Sequence, residues 1–599
     1  MKEIYKPKTH FSNLSKIIFF TIFITFILGI IGEICLLLMP FHTAKLLACK
    51  ISITGNPKRF TKEFFHTLKV QAIFSIFFFA FVEYLLYKYK EAICLWLSSN
   101  LPDRKSISSL FKLKNISAFQ VKVIILIVII GIGFRVIRMQ GIMEEDEAKD
   151  YIQYAQNPIT AVSLYLGDAN NHIFHTLLIS IITKIAGDSP WSIRSVAFLC
   201  GLVSVALIFL VYVSSIKNEL YKDTGGIIAV SLMAFYPMLC EYSANARGYT
   251  LQIVLVLLSW LFFVKIYEGK RDLILMLSLF VSLCMWTIAT GLYVFIGLCF
   301  SFLIAVAERK ISLKDTFVFL ISTCLISLLL WSPAIVVSGI KPILFGVDVN
   351  PSASGIPVNP LLLRFKNLKS IFSLSIGTFG VVISLSAVFF SLLFIDRPWK
   401  WIFVGLLCST FLINAILKVT PPSRVWLFYF PLIALFIDFS ISFLLTHIKI
   451  KKSIRCILLL IFIICYAISV TPAILDYGPD DRQVVRFAKH VAQEYRKCKK
   501  CKKKIAIAVA LTTYHYKEKA LGCNRYTVRY YLKRAGIPGS GFKWRAHPES
   551  DIFWLVCVQP DGSPIKTLLK LKWDFCLGPY GLKKAVSKKF IQRWPTEAL

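Results

Sequence analysis

Long apolar runs recur along this chain, separated by short polar connections, and most are long enough for a helix to cross a ~30 Å hydrocarbon layer. They are Ile17 to Met39, Val70 to Tyr87, Val121 to Ile137, Ser195 to Ser214, Gly226 to Tyr242, Thr250 to Ile266 and Leu273 to Thr290. The series continues with Leu292 to Val306, Phe317 to Val337, Ile371 to Phe394, Trp401 to Leu417, Leu427 to Leu445 and Ile457 to Ile474. One more run, His172 to Ala186, is only about four helical turns long and is expected to lie along the membrane interface. The pattern predicts an α-helical polytopic membrane protein of about thirteen spans. Beyond Ile474 the periodicity changes. Arg482 to Arg496 reads as an amphipathic helix and Lys504 to Leu511 as a buried strand, so a small C-terminal α/β domain is expected. The expected division is 1–120 for two extra spans and a basic connection, 121–475 for the membrane core, and 476–599 for a basic soluble domain.

Charge orients this series. Lys and Arg gather in the 88–122 connection, in the turn Lys265 to Arg271, at Arg309 and Lys310, at Arg397 and Lys400, and from Lys449 to Arg455. Cytoplasmic connections carry such excess, and the parity of spans then puts the 140–170 loop and the C-terminal domain outside the cytoplasm. The basic loop from Lys45 to Lys69 runs against that rule. A formal net charge of +36 over 599 residues would suggest nucleic acid in a soluble protein. Here, with 56% hydrophobic and 17% charged residues, it reports topology, and no nucleic-acid partner is expected. Most of the 16 cysteines lie in or beside apolar runs and read as small buried hydrophobes. Cys498 and Cys501 form a Cys-Lys-Lys-Cys in the tail, for which a disulfide is the better reading than zinc on an oxidising face.

Candidate chemistry concentrates at the outer ends of the spans. Met143-Glu144-Glu145-Asp146-Glu147-Ala148-Lys149-Asp150-Tyr151 is an acidic cluster just past one span. Adjacent helical residues point about 100° apart, so one of Asp146 and Glu147 faces a substrate. Asp146 is the candidate base, with Glu147 structural or metal-directed; the competing reading is a solvated acidic turn. Arg247, within Ala246-Arg247-Gly248-Tyr249, and Arg424, after Pro421-Pro422-Ser423, can each offer a planar, permanently charged fork to a phosphate. Tyr249 is grouped with them, and Gly248 is expected to permit a tight turn. Taken singly, Arg247 reads equally as an interfacial residue reaching toward headgroups. Asn171 and His172, after Asp168 and Asn170, carry groups that orient a sugar, help hold a metal, or cap the interfacial helix. Arg135 and Arg138 are expected either to pair with the acidic cluster or to serve the chemistry. Asp438, in the middle of an apolar run, is costly there and has no assigned role.

In this order, Asp146-Glu147-Ala148 with Tyr151, Asn170-Asn171-His172, Arg194, Ala246-Arg247-Gly248-Tyr249, and Pro422-Ser423-Arg424 with Pro431 resemble the GT-C superfamily of membrane glycosyltransferases. The likeness is nearest to the bacterial branch related to the aminoarabinose transferase of lipid A and to protein O-mannosyltransferases. It covers Val121 to Ile474. The resemblance implies an inverting transferase that uses a polyprenyl-phosphate sugar, with Asp146 at the acceptor and Arg247 and Arg424 at the donor phosphate. It implies Tyr151, Asn171 and His172 near the substrates and a lipid A, protein or glycan acceptor; a need for a divalent metal is not legible in the sequence, and Glu147 and His172 are the residues that could hold one. The tail lacks a Trp-Trp-Asp motif, which speaks against an asparagine-linked oligosaccharyltransferase. The two spans before Lys88 lie outside the usual core. A transporter or flippase of a lipid-linked saccharide is the rival reading, but no internal repeat is visible and the candidate residues gather at one face. The expected setting is the inner membrane, with catalysis on the outer face among membrane lipids.

Overall fold

Apolar sequence on every side of a segment produces two different outcomes in this chain, a helix buried in a bundle or a helix facing lipid. The computed structural model is mostly helical. It describes residues 13–51, 60–100, 102, 116–157, 171–215, 225–338, 377–417, 423–448 and 451–475. In the C-terminal part it describes 489, 493, 496, 505–509, 525–536, 552–556, 576–577 and 583–585. Asp168, Asn170, most of 482–496 and the Cys498-Cys501 pair lie outside the described residues.

The helices are α1 (Asn13–Leu38), α2 (Phe41–Ile51), α3 (Lys62–Lys88), α4 (Lys90–Asn100), α5 (Ala118–Met139) and the short α6 (Glu145–Asp150). They continue as α7 (Ile173–Ala186), α8 (Pro190–Ser215), α9 (Ile227–Phe235), α10 (Pro237–Ser243), α11 (Tyr249–Tyr267), α12 (Ile274–Thr287) and α13 (Gly291–Ala307). The rest of the membrane part is α14 (Leu313–Ser338), α15 (Gly377–Phe394), α16 (Arg397–Leu417), α17 (Phe430–His447) and α18 (Lys452–Leu475). Among the described residues, eight helices are long and apolar enough to cross a membrane, and three shorter apolar helices accompany them. The protein is a multi-pass membrane protein. The expectation of about thirteen spans counted several segments that form shorter helices, including 274–287 and 291–307.

The centre of the bundle is α11, packed against α8 and α12, and α17, packed against α9 and α15. Trp260, Phe263 and Val264 of α11 and Phe430, Ala434 and Phe436 of α17 are fully enclosed. By contrast α1 and α3 pair with each other and leave Phe74, Phe77, Phe78, Leu28 and Ile31 exposed, a surface suited to lipid tails. The helices α13 and α16 approach closely because Gly297 and Gly405 face each other; a Cβ on Gly405 would lie 2.1 Å from the Gly297 carbonyl oxygen.

Two polar residues inside the bundle have structural work. The run Gly226 to Tyr242, expected as one span, is two helices broken at Tyr236, because Pro237 cannot donate to the Met233 carbonyl. Arg135 fills that gap: its guanidinium donates to the carbonyls of Met233 at 3.0 Å, Ala234 at 2.7 Å and Gly131 at 3.1 Å, and to Ser243 Oγ at 3.1 Å. Its hydrogen-bond partners are thus backbone carbonyls and Ser243 rather than the acidic cluster, and Arg138 lies 3.8 Å from Glu241. Asp438 acts as a cap from a neighbouring helix. It accepts the N–H groups of Gly226 and Ala229, each at 2.9 Å, at the otherwise unsatisfied start of α9, where Gly226 has φ of +85°.

The C-terminal part contributes a helix, α19 (Arg525–Arg534), and four short strands, β1 (Ile505–Val509), β2 (Ile552–Val556), β3 (Cys576–Leu577) and β4 (Lys583–Ala585). The sheet order is β1-β2-β4-β3, with β1 and β2 parallel and the other pairs antiparallel.

Candidate active site

The acidic run begins where α5 ends, and its geometry is set by Glu147. This side chain is 0% exposed. Arg194 of α8 grips both of its carboxylate oxygens, Nε donating to Oε2 at 3.0 Å and Nη2 to Oε1. The Ala246 N–H donates to Oε2 at 2.9 Å and the Glu144 N–H to Oε1 at 2.7 Å. Arg194 also donates to the carbonyls of Met139 at 3.1 Å, Gly141 at 2.8 Å and Ile142, so one guanidinium staples the whole 139–147 turn. Both members of this pair are buried and both are hydrogen-bonded on several sides, the condition under which a buried ion pair persists.

Asp146, one residue earlier, turns away from that lock. Its side chain is 38% exposed, its Oδ2 accepts from Nη1 of Arg247, and Arg424 Nη2 lies 3.8 Å from the same oxygen. Three chain segments far apart in sequence therefore meet at one carboxylate oxygen. Arg247 lies in the bend between α10 and α11, and Arg424 lies in a 3₁₀ turn, Ser423–Tyr429, that leads into α17. Asn245 in the same bend as Arg247 donates from Nδ2 to Glu144 Oε2 at 2.8 Å.

Tyr249 backs the arginines. Its ring lies 5.6 Å from the Arg247 guanidinium carbon and meets Tyr242 at 4.6 Å and His172 at 5.3 Å, both edge to face. His172 starts α7 without a side-chain cap; its Nδ1 accepts the Gly248 N–H at 2.8 Å. Burial first, then the charge of Arg247, holds its pKa well below the ordinary value, so the ring is neutral. With Nδ1 accepting, the proton of a neutral ring sits on Nε2. Gly248 has φ of −71°, so it is not chosen for backbone freedom as expected. It is chosen for space: a Cβ there would meet Thr287 Cγ2 at 2.8 Å and His172 Nδ1 at 3.2 Å. Asn171 is buried beside His172.

Tyr151, expected with the substrate-binding residues, is 4% exposed. Tyr530 of α19 meets its ring edge to face at 6.0 Å and Lys533 Nζ lies 5.7 Å above it. Sequence reasoning missed this tail helix, along with Glu144 and Asn245. Glu144 keeps exposed surface, yet desolvation of its carboxyl, then the charges of Glu147 and Glu241, push its pKa up to about 7. The only sequence signal for these residues was proximity to the acidic run and to Arg247.

A divalent metal at Glu147 or His172 does not fit the donors present. Both Glu147 oxygens are engaged, His172 Nδ1 is an acceptor for Gly248, and the described residues contain no group of three or more metal-ligating side chains. The positive charge next to Asp146 comes from Arg247 and Arg424.

One buried arginine, Arg194, fixes the acidic turn, and two more, Arg247 and Arg424, face the partly open carboxylate of Asp146. Residues 171–336 match the model of the dolichyl-phosphate-mannose-protein mannosyltransferase family. The matched stretch is less than a third of the chain and takes in Asn171, His172, Arg194 and Arg247, residues of the motifs that resemble the GT-C superfamily. No curated protein matches the sequence. Among solved structures, ArnT from Cupriavidus metallidurans bound to undecaprenyl phosphate shares 9% identity at a TM-score of 0.48, over 77% of this chain and 97% of that one. The Archaeoglobus fulgidus oligosaccharyltransferase in complex with Zn and sulfate shares 12% identity at a TM-score of 0.43, over 72% and 67%.

Proposed function

We propose that this protein transfers a sugar from a polyprenyl-phosphate donor to a lipid, protein or glycan acceptor on the outer face of the cell membrane, with inversion at the sugar. The observation that carries the reading is the meeting of Asp146, Arg247 and Arg424 at one carboxylate oxygen. A phosphate is a better partner for two arginine forks than a single shared carboxylate oxygen. When the donor phosphate takes up Arg247 and Arg424, Asp146 is released from its ion pairs and becomes free to accept a proton. Donor binding thus prepares the base.

The acceptor hydroxyl gives its proton to Asp146 as its oxygen forms a bond to the anomeric carbon. The bond from that carbon to the phosphate oxygen breaks, and its electron pair leaves on the polyprenyl phosphate. Arg247 and Arg424 stabilise the charge that gathers on the departing phosphate. Tyr249 and neutral His172 hold the bend that presents Arg247. Glu147 touches no reacting atom in this scheme; with Arg194 it positions the turn. Tyr151 belongs to the packing under that turn. The two N-terminal spans and their basic connection occupy 1–120, the transfer core 121–475, and a small α/β domain on the same outer side 476–599.

The test is comparative lipid and glycan mass spectrometry of cells that express the wild-type protein, no protein, or Asp146→Asn. The expected result is a mass difference that depends on the wild-type chain and disappears with Asp146→Asn at normal protein level. An unchanged product with Asp146→Asn would sink the catalytic reading. A saccharide that accumulates lipid-linked on the inner side, with no transfer product lost, would favour transport of a lipid-linked saccharide instead.

A further inference from the structure

The helix α19 comes from the segment that follows the last membrane helix, yet it packs on α6, the helix that carries Asp146 and Glu147. Its contacts are specific. Tyr531 Oη accepts the Met143 N–H at 3.0 Å across 388 positions of sequence. Tyr530 is 1% exposed, donates its hydroxyl to the Asp188 carbonyl at 2.9 Å, and closes a small apolar cluster with Met143, Ala148, Tyr151 and Ile152. Lys533 Nζ donates to Gln156 Oε1 at 2.9 Å and lies 4.0 Å from the Asp188 carboxylate.

The acidic turn is therefore held from two sides. Arg194 binds the carbonyls of residues 139, 141 and 142 and the Glu147 carboxylate from within the bundle. The N–H of residue 143, fully buried, is left for a partner outside the bundle, and Tyr531 supplies it. The helix α6 continues directly into a π-helical turn, Tyr151–Ala155, and the two together are still shorter than the roughly 12 to 15 residues an isolated helix needs in water, so their orientation depends on these anchors. Asp146 rides on this turn, and the aim of its carboxylate toward Arg247 and Arg424 is inherited from it.

We infer that Tyr531, supported by Tyr530 and Lys533, is a positioning residue for the proposed transfer: the C-terminal helix clamps the turn so that Asp146 faces the two arginines. The inference rests on the transfer reading for its consequence, while the clamp itself can be measured without turnover.

The experiment uses the full-length protein in detergent or nanodiscs. Tyr531→Phe keeps the ring and removes the acceptor. Hydrogen exchange at the Met143 amide should speed up by about 2- to 10-fold, confined to peptides covering 141–150. Binding of undecaprenyl phosphate, the probe for the arginine half of the site, should stay within about twofold, while the rate of product formation in cells falls by about 2- to 10-fold. Tyr530→Leu, which opens the apolar cluster, should show the same split more strongly. Unchanged exchange at residue 143 would overturn the clamp. Faster exchange with full product formation would overturn the positioning role, as would a loss of undecaprenyl phosphate binding in proportion to the loss of product. Faster exchange spread into α11 would make Tyr531 a general fold residue and overturn its local role. A wild-type protein with no transfer product sinks the functional reading, and with it the consequence drawn here, while the exchange result still decides the contact.

Discussion

Replacing Glu147 by Gln and Asp146 by Asn separates two adjacent acids by the kind of damage each change does. Glu147 is completely buried against Arg194, which is itself 2% exposed. The Glu147→Gln change would remove the negative charge, leave that guanidinium uncompensated, and point an amide N–H₂ at one of the donors now served by a carboxylate oxygen. Breaking a buried pair in this way costs about 3 to 5 kcal/mol. That is a large part of the roughly 5 to 15 kcal/mol that holds a folded domain. In a thermal ramp followed by fluorescence-detected size exclusion, the Glu147→Gln midpoint should fall on the order of 5 to 10 °C. Asp146 is partly exposed and its contact with Arg424 is a long one, but its partner Arg247 is only 4% exposed; Asp146→Asn keeps an amide oxygen as acceptor and should cost about 1 to 3 kcal/mol, a smaller fall in midpoint than that of Glu147→Gln. Its effect should fall on transfer, about 100- to 10,000-fold if the carboxylate accepts the acceptor proton. Both variants are compared at one scan rate, because membrane proteins unfold irreversibly and the midpoint depends on it. The opposite pattern, a stable but inactive Glu147→Gln beside an active Asp146→Asn, would refute the division of roles.

Other outcomes follow from single contacts. Gly248→Ala should cost about 1 to 3 kcal/mol and displace His172, since the added Cβ meets Thr287 and the imidazole; an unshifted thermal midpoint would count against that crowding. Asp438→Ala should cost about 2 kcal/mol or more in thermal stability, because it orphans the buried N–H groups of Gly226 and Ala229, and it should leave undecaprenyl phosphate binding intact in the folded fraction. The Glu144 carboxyl, raised to about 7, keeps its proton in the folded state after the unfolded chain has lost it. Its contribution to stability is therefore full below about 4.5 and is lost as pH rises toward 7; Glu144→Gln should flatten the midpoint across that window. A cysteine at exposed Lys533, in a background without native cysteines, should react with an impermeant thiol reagent from outside the cell, and labelling only after lysis would reverse the proposed orientation.

Much of the site was legible in the chain because charge is conspicuous in an apolar sequence. Asp146, Arg247, Arg424 and His172 stood out as polar groups at span ends, and the structure brings them together with Tyr249. Other features were hidden for identifiable reasons. Arg135 and Asp438 looked like candidates for chemistry, yet each repairs backbone hydrogen bonds at the two ends of α9. Whether a helix begins at Gly226 without a local cap, or loses a carbonyl partner at Pro237, can be read from sequence; which distant side chain supplies the remedy cannot.

By itself the sequence determined that the chain is a multi-pass helical membrane protein and that cations and carboxylates collect at the ends of its spans, because hydrophobic period and charge are local properties. Only the tertiary structure decided which cation meets which carboxylate. Arg194 takes Glu147 and locks it, Arg247 and Arg424 share Asp146, and a helix from beyond the last span closes over the turn that carries both acids. These pairings join residues up to 388 positions apart, and they depend on helix packing that no single segment encodes.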